Sequence, residues 1–414
     1  MSEKKKGVVP RLRFPEFRDA GEWEVKRLGK AYRFIPTNSL SRDKLNYAHG
    51  TIKNIHYGDI HTKFRPLFDI NNEDVPYVND GIRLEQFDQN AFCTNGDVIF
   101  ADASEDVDDI GKAIEIINTD GQKLISGLHT LHARPRDQEF VLGFPGYLFQ
   151  TIAIREQIRR ESQGAKVLGI SAKRLATIKI FVPRKNEQQK IAYCLSSLDE
   201  VIDLEAQKLD TLKAHKKGLM QQLFPREGET TPRLRFPEFR DAGEWEVKPL
   251  HQLLIFERPD KYIVHIDNYC TQGTPVLTAN KSFILGYTAE KDGIYESVPA
   301  IIFDDFTTDK KYVDFPFKVK SSAIKILKQK GNNNICFLFE SMNLIRFDPQ
   351  QHKRYYISQY QHIHIPVPDI KEQQKIADCL SSFDEVINLQ TQKLDALKAH
   401  KKGLMQQLFP QEVD

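Results

Sequence analysis

EQQKIAYCLSSLDEVIDLEAQKLDTLKAHKKGLMQQLFP, residues 187–225, has a near copy at residues 372–410, EQQKIADCLSSFDEVINLQTQKLDALKAHKKGLMQQLFP. The copies differ at six positions: Tyr193/Asp378, Leu198/Phe383, Asp203/Asn388, Glu205/Gln390, Ala206/Thr391 and Thr211/Ala396. Both read as long helices. Ile191, Leu195, Leu198, Ile202, Leu209, Leu212, Leu219 and Leu223 follow an alternating four-three spacing, and Ile376, Leu380, Phe383, Ile387, Leu394, Leu397, Leu404 and Leu408 repeat it. A 3.5-residue period is the seam of a coiled coil. Gly218 and Gly403 come late, and Pro225 and Pro410 follow each stop. Polar residues break the seam at Glu205/Gln390 and Lys216/Lys401. Such residues cost stability but fix register and partner. At about 1.5 Å per residue, each helix is on the order of 50 Å long.

The surroundings are duplicated too. PRLRFPEFRDAGEWEVK at residues 10–26 returns unchanged at 232–248. The chain therefore divides into a tail (1–9), a first domain (10–183, with lead-in 10–28), a helix (184–225) and a polar linker (226–231). A second domain (232–368, with lead-in 232–250), a second helix (369–410) and a tail (411–414) follow. Lead-in and helix are constant, whereas the inserts between them share little sequence. One frame carrying two dissimilar inserts implies one mechanical task done twice, on two targets. Both inserts read as mixed α/β. Strands are expected at 97–101, 113–117 and 178–182, a helix at 144–160 and a loop at 163–166. In the second insert, strands are expected at 275–278, 300–303, 317–320 and 363–367.

The length allows two or three domains. A net charge of +2 gives no global basic signal, which leaves nucleic-acid binding to a local basic face. Five scattered cysteines, none in Cys-x-x-Cys, fit a reduced cytoplasmic protein. The first ten residues lack the apolar core of a signal peptide. No apolar run reaches the ~18 residues of a membrane span.

Catalytic signatures are missing: no phosphate loop, no Gly-x-Gly-x-x-Gly, no amino-methyltransferase Asn/Asp-Pro-Pro-aromatic stretch, no His-Glu-x-x-His and no zinc-spaced Cys/His set. Asp19 with Glu24 and Lys26 superficially resembles a nuclease triad, but acid and Glu are too close in sequence. The plainer reading is a lead-in whose Trp23 and Phe17 pack on the frame. Polar clusters in the inserts suit DNA: Lys, Arg, Ser and Thr hold phosphates, whereas Asn, Gln, Asp, His and Arg can read base edges. In the first insert the candidates are His56, Tyr57, Asp59, His61, Lys63, Ser104, Ser126, His129, Gln163 and Lys166. In the second they are Thr278, Asn280, Lys281, Asp304, Thr307, Thr308, Lys310, Lys311, Ser321, Lys353, Arg354, Tyr355 and Ser358. For Asp304 the competing role is turn capping. No metal site is expected, since His56 and His61 lack clustered acids.

Together these features resemble the specificity subunit (HsdS) of type I restriction-modification systems. PRLRFPEF, the GDVIF strand at 96–100, the Val-Pro exits and the EQQKIA helix starts carry the likeness, which covers nearly the whole chain. The resemblance implies an α/β (α+β) fold of two target-recognition domains in pseudo-two-fold tandem, separated by two helices in an antiparallel coiled coil. It implies that each domain reads half of a split double-stranded DNA target, and that the helices set the spacer and dock two methyltransferase (HsdM) subunits. Restriction-translocase (HsdR) subunits then join. The chain itself would be non-catalytic and hold no cofactor; S-adenosylmethionine, ATP and Mg²⁺ would serve the partners. Residues 275–281 and 301–308 resemble a recognition-domain class linked to a GAA-like half-site. Half-sites a helical turn apart lie about 34 Å between centres, within reach of such helices. The alternative is a coiled-coil scaffold whose inserts bind proteins or ligands.

Overall fold

The computed structural model describes residues 8–81, 87–265, 269–280, 282–351 and 353–411. Two compact units divide it: one runs through Glu205 and resumes at Lys393, and the other is Ala206–Gln392. The division falls inside both duplicated helices, Lys185–Leu223 and Ile370–Leu408. Each unit therefore holds one insert, the N-terminal half of its own long helix and the C-terminal half of the other.

Within each unit the helix segments pack antiparallel. In the first, Lys401 pairs with Asp199 and Lys393 with Glu205. In the second, Lys216 reaches Asp384 at 2.7 Å and the buried Glu340 at 2.6 Å, while Leu223 and Phe224 share a core with Ile376 and Leu380. Lys216 and Lys401, which interrupt the apolar seam, thus meet an acid of the facing helix. That pairing penalises any slipped register.

A central strand organises each insert. Val98–Ala101 lies in a five-stranded sheet ordered Tyr32–Ile35, Thr130–Pro135, Val98–Ala101, Ala113–Asn118, Leu67–Asp69. All four of its residues are buried, because alternate side chains enter different cores. Val98 and Phe100 pack toward the helices, whereas Ile99 and Ala101 pack under the insert's second sheet. Ala300–Asp304 repeats this in a four-stranded sheet, with Ile301 and Phe303 on one face and Ala300 and Ile302 on the other.

The lead-in closes onto the helix start. Arg13 donates from Nε and a terminal nitrogen to Glu187 at 2.7 and 2.6 Å, and Trp23 Nε1 donates to the same carboxylate at 3.2 Å. Arg235 clamps Glu372 in the same way at 2.7 Å twice. Gln188 donates to the carbonyls of Pro183 and Glu139 and accepts from Val141 N, and Gln373 binds Pro368 and Asn334 alike. The duplicated Glu-Gln is therefore the latch between frame and insert. Trp23 is buried as expected, but Phe14, not Phe17, packs against the core beside it.

The expected helix over 144–160 is two helices, Phe144–Leu148 and Ile152–Glu161. Glu115, buried in the neighbouring strand, accepts from the N–H groups of Gly143 and Gly146, so the first helix begins on a side-chain acceptor. Burial pushes this carboxyl up to about 8 against the pull of those two donors. Thr151 then leaves helical geometry and its hydroxyl donates to Leu148 O, opening the second helix. The second unit has a helix the pattern did not show, Ile335–Leu344, capped by Asn334 Oδ1 accepting from Phe337 N. Among the described residues, no helix is long and apolar enough to cross a membrane.

Candidate nucleic-acid interface

Four separate segments meet at one edge of each insert. In the first unit, Gly127 N donates to Ile55 O, which ties the turn after Lys123–Ser126 to the start of the helix Tyr57–Thr62. Asp102 N donates to His129 O, and Ser104 pairs with Leu168. The segments at 56–63, 102–105, 126–130 and 163–169 thereby converge. In the second unit, Lys320 N donates to Leu277 O, Asp305 N to Ala323 O and Tyr355 N to Asp305 O. The segments at 278–280, 304–309, 320–323 and 353–358 converge in the same way. Polar clusters that the sequence keeps far apart become one surface per unit, built twice from unrelated sequence.

Tyr57 is the hub of the first surface. Its ring lies 4.7 Å from His56, 5.9 Å from His61 and 5.2 Å from His129. His56 is buried and caps the helix, its Nδ1 accepting from Gly58 N; burial and the charge of Arg42 hold its pKa below the usual value. His61 Nε2 lies 3.0 Å from Ala103 O. Lys63 is exposed and shares the Tyr47 hydroxyl with Arg42. His129 and Lys166 are exposed. Gln163 is exposed and its backbone forms a two-bond bridge with Gly169, and Gly164 turns the loop at a φ of +130° where any Cβ would lie 1.9 Å from Val167 O.

Several expected DNA contacts prove to be internal. Asp59 is 1% exposed, and its carboxylate takes both Arg42 donors at 2.8 and 2.9 Å. It therefore presents Arg42 rather than itself. Ser126 is buried against Thr130, 2.6 Å between hydroxyls, and Ser104 is buried and accepts from Asp106 N. These groups shape the loops, because burial leaves them no face toward a ligand.

In the second unit, Asp304 Oδ1 accepts from Phe306 N and Thr307 N at 2.9 Å each; it is a turn cap, and buried. Thr308 is buried with a φ of +61°, whereas Thr307 is exposed. Tyr355 is buried, its hydroxyl engaged with Gln351. Lys310 lies over the Tyr360 ring at 5.8 Å, and desolvation lowers its pKa, so it serves the core more than a phosphate. Lys311 is half-buried; Asn280, Ser321, Lys353, Arg354 and Ser358 are exposed, and Thr278 is half-buried. Arg354 lies over Phe306 at 5.8 Å and reaches Ser322 Oγ at 3.4 Å. Lys281 lies outside the described residues.

Sequence reasoning missed Arg42 and Tyr47, which lie outside its polar clusters, and did not select Asp102 or Phe306 within them. The link between Arg42 and Asp59 exists only in the fold. One buried group resembles a metal site: Cys93, Asp97 and His132 have ligand atoms within 4.8 Å of one another. Arg134 already donates to both Asp97 oxygens, at 2.8 and 2.7 Å, and His132 and Thr94 bind the same carboxylate. A fixed cation thus occupies the charge that a metal would need.

The description "Type I restriction modification DNA specificity domain" matches the chain twice, at residues 51–214 and 243–399. Over 135 residues the chain is 44% identical to the type I restriction enzyme EcoR124I/EcoR124II specificity subunit of Escherichia coli. That match covers 31% of this chain and 33% of the relative's own length. It is 22% identical over 303 residues to the type I restriction enzyme MjaVIII specificity subunit of Methanocaldococcus jannaschii, covering 64% of this chain and 69% of that one. The fold matches the S subunit of a type I restriction-modification system from M. genitalium with a TM-score of 0.64 at 15% identity, covering 98% and 100% of the two chains. With most of its length matched in two copies, the chain belongs to the type I restriction-modification DNA specificity family.

Proposed function

We propose that each unit reads one half of a bipartite double-stranded DNA target, and that the chain does no chemistry itself. The observation that carries this reading is the four-segment surface, built on the same frame in both units from different side chains. A shared frame with divergent contacts is what two half-sites of different sequence require. On each surface, exposed cations (Lys63 and Lys166; Lys353 and Arg354) stand beside groups able to read base edges (Gln163 and His129; Asn280). Methylation, cleavage and translocation then belong to HsdM and HsdR partners, which would use S-adenosylmethionine, ATP and Mg²⁺.

The long helices suit docking of two methyltransferase subunits. Leu204 and its repeat counterpart Leu389 are each 64% exposed, and Val201 and Val386 beside them are 42% and 46% exposed. Paired apolar side chains held out from a helix mark a surface meant for contact. Selection of duplexes from a random library by the assembled complex tests the proposal. Two short conserved blocks at fixed separation are expected, with binding lost when one base pair is added between them. Enrichment of no sequence, or of one uninterrupted block, would refute it.

A further inference from the structure

We infer that His129 is a specificity-determining residue of the first unit, and that it accepts a hydrogen bond from the exocyclic amine of an adenine or cytosine. The inference rests on the DNA-reading role proposed above and narrows it to one atom. His129 is a non-glycine residue at a φ of +54°. Left-handed backbone at such a residue is uncommon and survives only where its surroundings over-determine it. Here they do: His129 O accepts from Asp102 N at 3.0 Å, and the imidazole meets the Tyr57 ring edge-on at 5.2 Å. Its Nδ1 lies 3.2 Å from Asp102 Oδ1.

A carboxylate oxygen accepts, so Nδ1 carries the proton, and in the neutral ring Nε2 is left as a lone-pair acceptor. Among the described residues Nε2 takes no hydrogen bond, and the side chain is 49% exposed at the meeting point of the four segments. Fixed backbone, fixed ring and fixed tautomer present one acceptor to the outside. In the major groove the base-edge donors are adenine N6 and cytosine N4, whereas guanine and thymine offer only acceptors at the corresponding positions. Lys63 and Lys166 nearby carry three-fold donors without direction and suit phosphates.

The test is a binding selection with the complex of this chain and its methyltransferase subunits, comparing wild type with His129→Asn and Asp102→Ala. Asparagine tolerates left-handed backbone, so the first variant keeps the loop. In wild type, one position of the first half-site should require A or C. In His129→Asn that preference should fall about 10-fold or more, with the second half-site unchanged. Asp102→Ala, which frees the tautomer, should weaken the same position alone. Unchanged discrimination in His129→Asn, equal loss on target and random DNA, or no position of the first half-site requiring A or C would overturn the assignment to His129. A wild-type complex that selects no sequence would instead remove the DNA-reading role, and this inference with it.

Discussion

Glu187→Ala should destabilise the first unit by about 3–5 kcal/mol, the range for stranding one partner of a buried charge pair. Glu187 is 1% exposed and binds Arg13 through both oxygens, and the Arg13 side chain is itself 7% exposed. Alanine leaves a guanidinium facing a cavity, with Trp23 Nε1 losing its acceptor as well. Glu372→Ala should act on the second unit in the same direction but less, because Trp245 Nε1 is already buried without a partner. The two tryptophans, Trp23 and Trp245, sit one in each unit, so each reports its own. Urea unfolding followed by fluorescence, with Trp245→Phe or Trp23→Phe to silence the other, separates them. Midpoints for both glutamate variants within about 0.5 kcal/mol of wild type would show that the latch is dispensable.

Leu204→Asp combined with Leu389→Asp should abolish stable assembly with methyltransferase subunits while leaving the chain folded. Each leucine is mostly exposed, so aspartate costs the isolated chain little. Buried beneath a docked helix, the same carboxylate would lose its hydration without a partner. The loss should be at least about 3 kcal/mol, or roughly 100-fold in affinity. The single variants should each retain one of two subunits, since the residues belong to equivalent positions of the repeat. Native mass spectrometry with mixing at micromolar concentration reads the stoichiometry. A complex of two methyltransferase subunits on the double variant, held with wild-type affinity, would move docking to another face.

What the sequence made legible was the frame. The seam period gave both helices, and the polar seam residues Lys216 and Lys401 meet facing acids as register arguments require. Repeat comparison also marked EQQKIA as a shared helix start, but that its Glu-Gln latches frame to insert, through Arg13 and the carbonyl of Pro183, needed the fold. The inserts were harder. Residues 144–160 read as one helix after a Pro-Gly start, but the first helix begins on the buried Glu115 of a neighbouring strand, and Thr151, whose hydroxyl bonds back to Leu148 O, breaks it. The polar clusters were found as groups, but composition does not say which member faces out. Asp59, Ser126, Asp304 and Tyr355 look as reactive in sequence as Lys63 or Asn280, yet they hold the loops from within. Arg42 was invisible because its meaning lies in its contact with Asp59, a long-range pair that no local pattern encodes.

Two inserts reading two half-sites on a repeated frame can be checked in cells. DNA from cells making this chain with its cognate methyltransferase subunit would be sequenced by long-read detection of N6-methyladenine. One new motif is expected, split by a fixed spacer, with one methylated adenine on each strand and a GAA-like sequence in the half read by the second unit. Complex assembled in the same cells with no new methylated motif, or with a motif lacking a spacer, would contradict it.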